Sequence, residues 1–428
     1  MGISSKMRVI ILVGLLLTLS SLVACGGGGD GDEEKTPSQT ATVDPTKVPA
    51  EDVTITIGVL SDMTGPAAKP MLTVNQVIDD LINYFNDENL IPGVKLDAIF
   101  YDGGFDPAKD IPGYEWLKEK GADVFLAGLP HTPVTLKARV DNEKVVLFAM
   151  TVGEEIINPP GYVFCMNNSA QTIIETLLAW VADNDWDWQT KGPAKVGAVA
   201  WSTSYFVDQH AAAEEYVKAH PDQFEWAGSY MIPHGTWAVS NEANAVKDVD
   251  YVIPPGAVWS NFAKEYKTIG GKGKQLLTDA QGSFIGFASE AAGWDAIDGS
   301  LFALSCRWWN EDAELADLAN KLVRENHADA DDIIFSGMSY VNSIHAIYGM
   351  ISIIKQTVEN VGPENFSQEA LYNTLVSFSA DFGETYEEWG FTEAKRHAWD
   401  HLGIFQLDGA KEDLVRLEPD WVPVIRTQ

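Results

Sequence analysis

Cysteine is scarce in this chain: three in 428 residues, too few for a disulfide framework to stand in for an apolar core. Basic residues are also few. Twenty-nine Lys and Arg face 62 Asp and Glu, a formal net charge of −33. A surface of that sign repels phosphate backbones, so nucleic acid is not an expected partner. Apolar stretches of the roughly 20 residues that span a bilayer are lacking, which excludes a polytopic membrane protein. The sequence marks of common chemistries are missing too. There is no G-x-S-x-G, H-E-x-x-H or C-x-x-C, and no G-x-G-x-x-G between a strand and a helix. The run Gly270 to Gln275 lacks the upstream glycine and the trailing hydroxyl of a phosphate loop. His397 and His401 have a spacing that can place two imidazoles on one helix face, but no further ligands stand nearby. No catalytic residue, cofactor or metal is assigned, and the chain is not expected to be an enzyme.

What is present is ordinary globular material. Hydrophobic residues make up 46% and charged residues 21%, enough to build cores for two or three domains. The first segment stands apart. Lys6 and Arg8 precede a short apolar run, Val9 to Leu19, as in a secretory signal peptide. Leu22-Val23-Ala24-Cys25, followed by Gly26, resembles the bacterial lipobox, in which the signal is cut before a cysteine that is then lipidated. That resemblance makes 1–24 a signal peptide and Cys25 a membrane anchor; an ordinary signal peptide with a chance cysteine is the alternative. Residues 25–52 are rich in Gly, Pro, Thr and acids, and read as a solvated tether with a reach of roughly 25–30 Å.

From Val53 onward β-branched runs alternate with helical periodicity. VTITIGVL reads as a strand, and Val74 to Asn86 carries Val77, Ile78, Leu81, Ile82 and Phe85 at helical spacing. KLDAIFYD, DVFLAG and VVLFAMT read as further strands. Helices are expected at Ile111–Lys120 and Val134–Asp141, and DGGFDPAKD reads as a loop. After Tyr162 a second unit of the same kind begins, with strands in KVGAVAW, FEWAGSYMI, DVDYVI, KQLLTDA and SLFALSC. Helices are expected at Ile173–Asp183, Tyr205–Ala219, Ala288–Asp295 and Ser339–Asn360. The alternation predicts an α/β fold with doubly wound parallel sheets in two lobes.

Four segments carry a family resemblance. IGVLSDMTGPAA resembles the opening strand and loop of type I periplasmic-binding proteins, above all the branched-chain amino-acid (leucine/isoleucine/valine) substrate-binding subfamily of ABC importers. ADVFLAGLPHTPV, VLFAMTVGEEI and GIFQLDG resemble later segments of the same family, in the same order. The resemblance implies two lobes joined by a three-strand hinge, with crossings near Phe164–Asn167, Leu304–Trp308 and Phe382–Phe391. Lobe 1 is then 53–164 plus 307–383, and lobe 2 is 167–304 plus 390–428. Ligand is expected in the cleft between them, at the carboxyl ends of the strands.

The loops after those strands supply the candidate ligand-binding residues. Ser61 and Thr64 follow the first strand, His131 and Thr132 the third, and Thr151 the fourth. In the amino-acid-binding family the third and fourth loops hold the ligand carboxylate through hydroxyls and backbone N–H groups. Helix capping is the competing role for Thr132 and Thr151, and a structural histidine for His131. In the second lobe Tyr205 matches a family tyrosine. The family acid that holds the ligand ammonium falls nearest Gln281, with Asp279 two residues earlier. An expected second-lobe tyrosine is replaced near Pro255, so amino acids, amides, small acids and aromatic compounds all remain open as ligands. Cys165 and Cys306 fall at two crossings; the resemblance sets those strands side by side, so a disulfide or two buried thiols are the two readings.

The resemblance therefore implies an extracytoplasmic, lipid-anchored solute-binding protein of an ABC importer. It would be a monomer that captures a small polar solute by lobe closure and delivers it to permease and ATPase subunits. The alternative is a sensory protein on the same fold, presenting its ligand state to a receptor.

Overall fold

The computed structural model describes residues 52–382 and 389–426. The signal segment 1–24, Cys25, the tether up to residue 51 and part of the expected third crossing lie outside those residues.

The first sheet is parallel throughout, in the order β2-β1-β3-β4-β5. Its strands are β1 (Val53–Ser61), β2 (Val94–Asp102), β3 (Val124–Ala127), β4 (Leu147–Ala149) and β5 (Val163–Cys165). The register runs Val53 beside Val94 and Ile57 beside Val124. Ile55, Ile57 and Val59 point to one side of β1 and Leu60 to the other, and all four are buried. Helices on both faces demand this, and it is why the strand reads as a near-continuous apolar run.

The second sheet has the parallel core β7-β6-β8-β9-β10, from β6 (Ala194–Trp201), β7 (Phe224–Ile232), β8 (Tyr251–Ile253), β9 (Lys274–Leu277) and β10 (Leu301–Leu304). The short pair β11 (Ser379–Ala380) and β12 (Trp389–Gly390) stands apart from both sheets. The C-terminal strands β13 (His401–Asp408) and β14 (Asp413–Arg416) then extend the second sheet antiparallel, and β15 (Val422–Pro423) pairs with β13.

The helix Ala68–Asp87 buries Met71, Val74, Ile78, Leu81 and Phe85, a three- and four-residue spacing that makes one apolar stripe. Truncating Leu81 to Ala would cost about 2–5 kcal/mol. At its end Asn86 locks the helix to β2, donating to the Leu96 carbonyl and accepting from the Leu96 N–H, both at 2.9 Å. The helix Ser339–Val361 is buried on almost every side, between Ala68–Asp87 and Glu314–Asn326. Gly349 lets it approach Trp389: a Cβ there would lie 2.4 Å from the indole ring. Glu314–Asn326 and Ala330–Ser336 are helices for which the sequence reading had no element.

Two connections between the sheets touch each other. Cys165, at the end of β5, bridges to His397 in parallel, with Cys165 N–H donating to the Arg396 carbonyl at 2.7 Å. The Arg396 guanidinium holds this junction, donating to the Gly161 carbonyl and the Tyr372 hydroxyl, both at 2.9 Å, and lying over the Phe164 ring. The disulfide between Cys165 and Cys306 is not formed: both are buried thiols. The reason is registration. Cys165 pairs with His397, and it is Asn168, further along the chain, that reaches Ser305, at 3.1 Å. His397 and His401 do not share a helix face either, because His401 opens β13. Among the described residues no group of His, Cys, Asp and Glu is placed to hold a metal ion.

Candidate functional site

The carboxyl ends of both parallel sheets face one cavity of ≈ 200 Å³. From the first sheet come Pro66 and Ala67 after β1, Phe105 after β2, Leu129 and Pro130 after β3, and Thr151 after β4. From the second come Trp201 at the end of β6 and Tyr205 after it, Ala257 after β8, and Asp279 and Phe284 after β9. The carboxyl edge of an open α/β sheet is where its loops and helix N-termini converge, and here two such edges meet.

The wall is mostly apolar. Among the described residues, Asp279 is the one acidic or basic side chain in it. The Tyr205 hydroxyl donates to Asp279 Oδ1. Burial pushes the Asp279 carboxyl up to about 6, against the partial offset of its bonds to Tyr205, Ala280 and Thr278. Burial and the neighbouring carboxylate raise Tyr205 well above the usual phenol range, so Tyr205 stays a neutral donor. From the first lobe, Thr151 has a buried hydroxyl oxygen with no hydrogen-bond partner among the described residues. A mostly apolar cavity with one carboxylate and one unsatisfied hydroxyl in its lining suits an apolar solute bearing a donor, best a cationic amine.

Three sequence candidates thus line the cavity: Thr151, Tyr205 and Asp279. The others lie elsewhere. Ser61 donates to Asn75 at 3.0 Å, and Thr64 donates to Asp102 at 2.7 Å. Thr132 is fully buried and donates to Asp110 Oδ1 at 3.0 Å. His131 places Nδ1 3.0 Å from the other oxygen of Asp110 and borders an adjoining chamber. Gln281 is buried as the partner of Thr278 in a capping box, and its amide donates to the Pro254 carbonyl at 2.6 Å. Pro130 adds a further departure. It stands at the start of the helix His131–Glu143 and has no N–H to offer a carboxylate.

The apolar wall was not legible beforehand. Phe105, Phe206 and Phe284 come from three distant points of the chain, Phe206 from the first turn of the helix Ser204–Ala219. For Phe105 a signal existed: it ends a Gly-Gly-Phe run in a loop rich in Asp, and its φ is +59°, a strained conformation for an aromatic residue. Asp102 fixes that loop by accepting from Met63 N–H at 2.8 Å and Gly104 N–H at 3.1 Å.

The two lobes also touch at the rim. Phe105 stacks on His234, with ring centroids 5.2 Å apart, and Lys69 lies 4.0 Å from the Phe287 ring centroid. Beside the cavity the acids Glu155 and Asp208 face each other over Gly153, where a Cβ would meet both carboxylates.

Comparison with known proteins agrees with this architecture. A branched-chain amino-acid ABC transporter protein from Thermus thermophilus, solved with bound valine, superposes with a TM-score of 0.76 at 19% identity, covering 88% of this chain and 97% of that one. A fatty-acid ABC transporter substrate-binding protein from Thermomonospora curvata gives 0.74 at 16%, covering 88% and 93%. A solute-binding protein of an ABC transporter from R. palustris, in complex with 4-hydroxybenzoate, gives 0.68 at 15%, covering 88% and 98%. No curated protein matches in sequence. No helix among the described residues is long and apolar enough to cross a membrane. The family model described as periplasmic binding protein matches residues 54–412, and the chain therefore belongs to that family of binding proteins rather than enzymes.

Proposed function

We propose that this chain is the extracytoplasmic solute-binding component of an ABC importer, and that its solute is small, largely apolar and amine-bearing. Amino acids with apolar side chains and their amides fall in this class. The observation that carries the reading is the meeting, in one mostly apolar cavity, of the Asp279–Tyr205 pair with the unsatisfied Thr151 hydroxyl. Valine, bound by the Thermus thermophilus relative, is a solute of this kind.

In this reading the lobes are 53–164 plus 307–383 and 167–304 plus 390–428, and they close over the solute. Cys25, once lipidated, holds the protein at the outer face of the membrane, and the tether lets the monomer reach its permease. Binding and release are its whole mechanism, with the ATPase on other chains.

The test is a thermal-shift screen on protein stripped of carried-over ligand. The panel is amino acids, apolar amines, amides, short organic acids and aromatic acids. A ligand at 1,000 times its Kd stabilises by about 4 kcal/mol, well within reach of such a screen. Shifts confined to amine-bearing solutes are expected. Shifts confined to acids without an amine would overturn the solute class, because Asp279 repels them.

A further inference from the structure

Next to the cavity lies a second chamber of ≈ 370 Å³. The two share Phe105, Pro130 and Thr203 as common walls, so they are adjoining compartments of one cleft. Their linings differ in kind. The inner compartment is hydrocarbon around one carboxylate. The outer one has Ser202, Thr203 and Ser204 from the second lobe, His131 and Thr135 from the first, and the Phe105–His234 stack.

His131 is the informative member. Its side chain is 14% exposed, and Nδ1 is engaged by Asp110 Oδ2 at 3.0 Å. A carboxylate can only accept, so Nδ1 donates to it and Nε2 is the ring nitrogen left to pair with something else. Nε2 is buried and has no hydrogen-bond partner among the described residues. A buried polar atom without a hydrogen-bond partner is destabilising, and a ligand hydroxyl, which can both donate and accept, can supply the partner. Thr203 is a second polar group on this wall: it precedes the helix Ser204–Ala219 without capping it through its side chain. Threonine in that place normally caps, so its hydroxyl remains available to a ligand.

We infer that the solute spans both compartments: its amine lies against Asp279, its apolar body against the inner wall, and a hydroxyl at its far end is held by His131 and Thr203. The ligand class is thus a hydroxylated apolar amine, an ω-amino alcohol or a hydroxyaryl-alkylamine. This inference rests on the solute-binding reading above and narrows it. Thr151 then accepts from, or donates to, the amine end, and the Phe105–His234 stack closes over the hydroxyl end.

The experiment is calorimetric titration of the mature, ligand-stripped protein with a length series of ω-amino alcohols. Each is paired with the alkylamine that lacks its hydroxyl and the alcohol that lacks its amine. At one chain length the hydroxyl should improve affinity by about tenfold, the worth of one well-made hydrogen bond to a buried group. That gain should vanish in Thr203→Val and in His131→Phe, while affinity for the matched alkylamine stays within about threefold. Thr203→Val keeps the test valid should His131→Phe fold poorly through loss of its bond to Asp110. A hydroxyl gain that is absent at every length, or that survives both substitutions, overturns the inference and leaves the amine reading standing. Alcohols that bind as tightly as amino alcohols, with the hydroxyl gain intact, overturn the amine reading and with it the amino-alcohol class, and leave only the hydroxyl-binding role of His131 and Thr203. No binding across the whole series overturns both.

Discussion

Phe105 from the first lobe and His234 from the second stack nearly parallel, 16° apart, directly over the cleft. Phe105 does so from a left-handed backbone conformation, φ +59°, and also packs edge-on against His131. His234 is backed in turn by Trp201, whose indole N–H donates to the Thr236 carbonyl at 2.7 Å. Strain of this kind persists where the surroundings over-determine it, and it collects at clamps and binding sites. The pair is a latch between lobes, formed from a loop that reads in sequence as mere connection.

Removing the latch should therefore weaken ligand binding more than it weakens the fold. An aromatic pair contributes about 0.5–1.5 kcal/mol beyond its buried area, so Phe105→Ala should reduce solute affinity about three- to tenfold in calorimetry. Its melting temperature without ligand should fall only slightly, because Asp102 still ties the loop; alanine keeps the Cβ that makes the left-handed backbone unfavourable, so the substitution relieves no strain.

Affinity for amines should depend on pH through Asp279. Burial sets its carboxyl at about 6, above the ordinary 3.8. The ionised form is the one that attracts a cation. Raising the pH from about 5 to about 7 takes the carboxylate from about one-tenth to about nine-tenths ionised, so affinity should improve about tenfold. Asp279→Asn should abolish that slope. Ligand-free stability runs the other way: a carboxyl whose folded value is raised favours the fold below about pH 4, and this contribution is lost as pH rises through about 6.

The facing acids Glu155 and Asp208 lead to a stabilising substitution. Burial, then Glu155, pushes Asp208 up to about 6. Since the folded value exceeds the unfolded one, ionising Asp208 destabilises the protein as pH rises through about 6. Asp208→Asn removes that charge and can still donate to Glu155. It should raise stability at about pH 7.5 by about 1 kcal/mol, after discounting for partial solvent exposure, and should do nothing near pH 4. Denaturant melts at the two pH values check both halves.

Cys165 should resist modification. Burial pushes its thiol up to about 12, so the reactive thiolate is rare at about pH 8. A thiol reagent should label Cys165 and Cys306 only after denaturation, without any need for a reducing agent. Labelling that requires reduction first would show a disulfide instead.

The fold was largely legible because buried parallel strands must be apolar runs: VTITIGVL and KVGAVAW appear within Val53–Ser61 and Ala194–Trp201. Helices were foreseen where one face repeats, as at Val74–Asn86. They were missed where the pattern is interrupted by acids and short turns, as at Ala330–Ser336. The site was legible in part. Tyr205 and Asp279 lie a strand or two apart in the sheet but 74 residues apart in sequence, and only family position joined them. Thr132 and Thr151 look alike in sequence, each in the loop after a strand. What separates them is Asp110, which claims the Thr132 hydroxyl from 22 residues upstream and leaves Thr151 to the cavity. Local sequence carries no trace of that competition.

The central claim is that Asp279 anchors an amine-bearing solute in this cleft. Its most direct test is calorimetric titration of the stripped protein, and of Asp279→Asn, with the amine-bearing solute that shifts the melting temperature most. The account predicts tight binding to the native protein and a loss of at least about tenfold in the variant at about pH 7. Equal affinity for both proteins would contradict it.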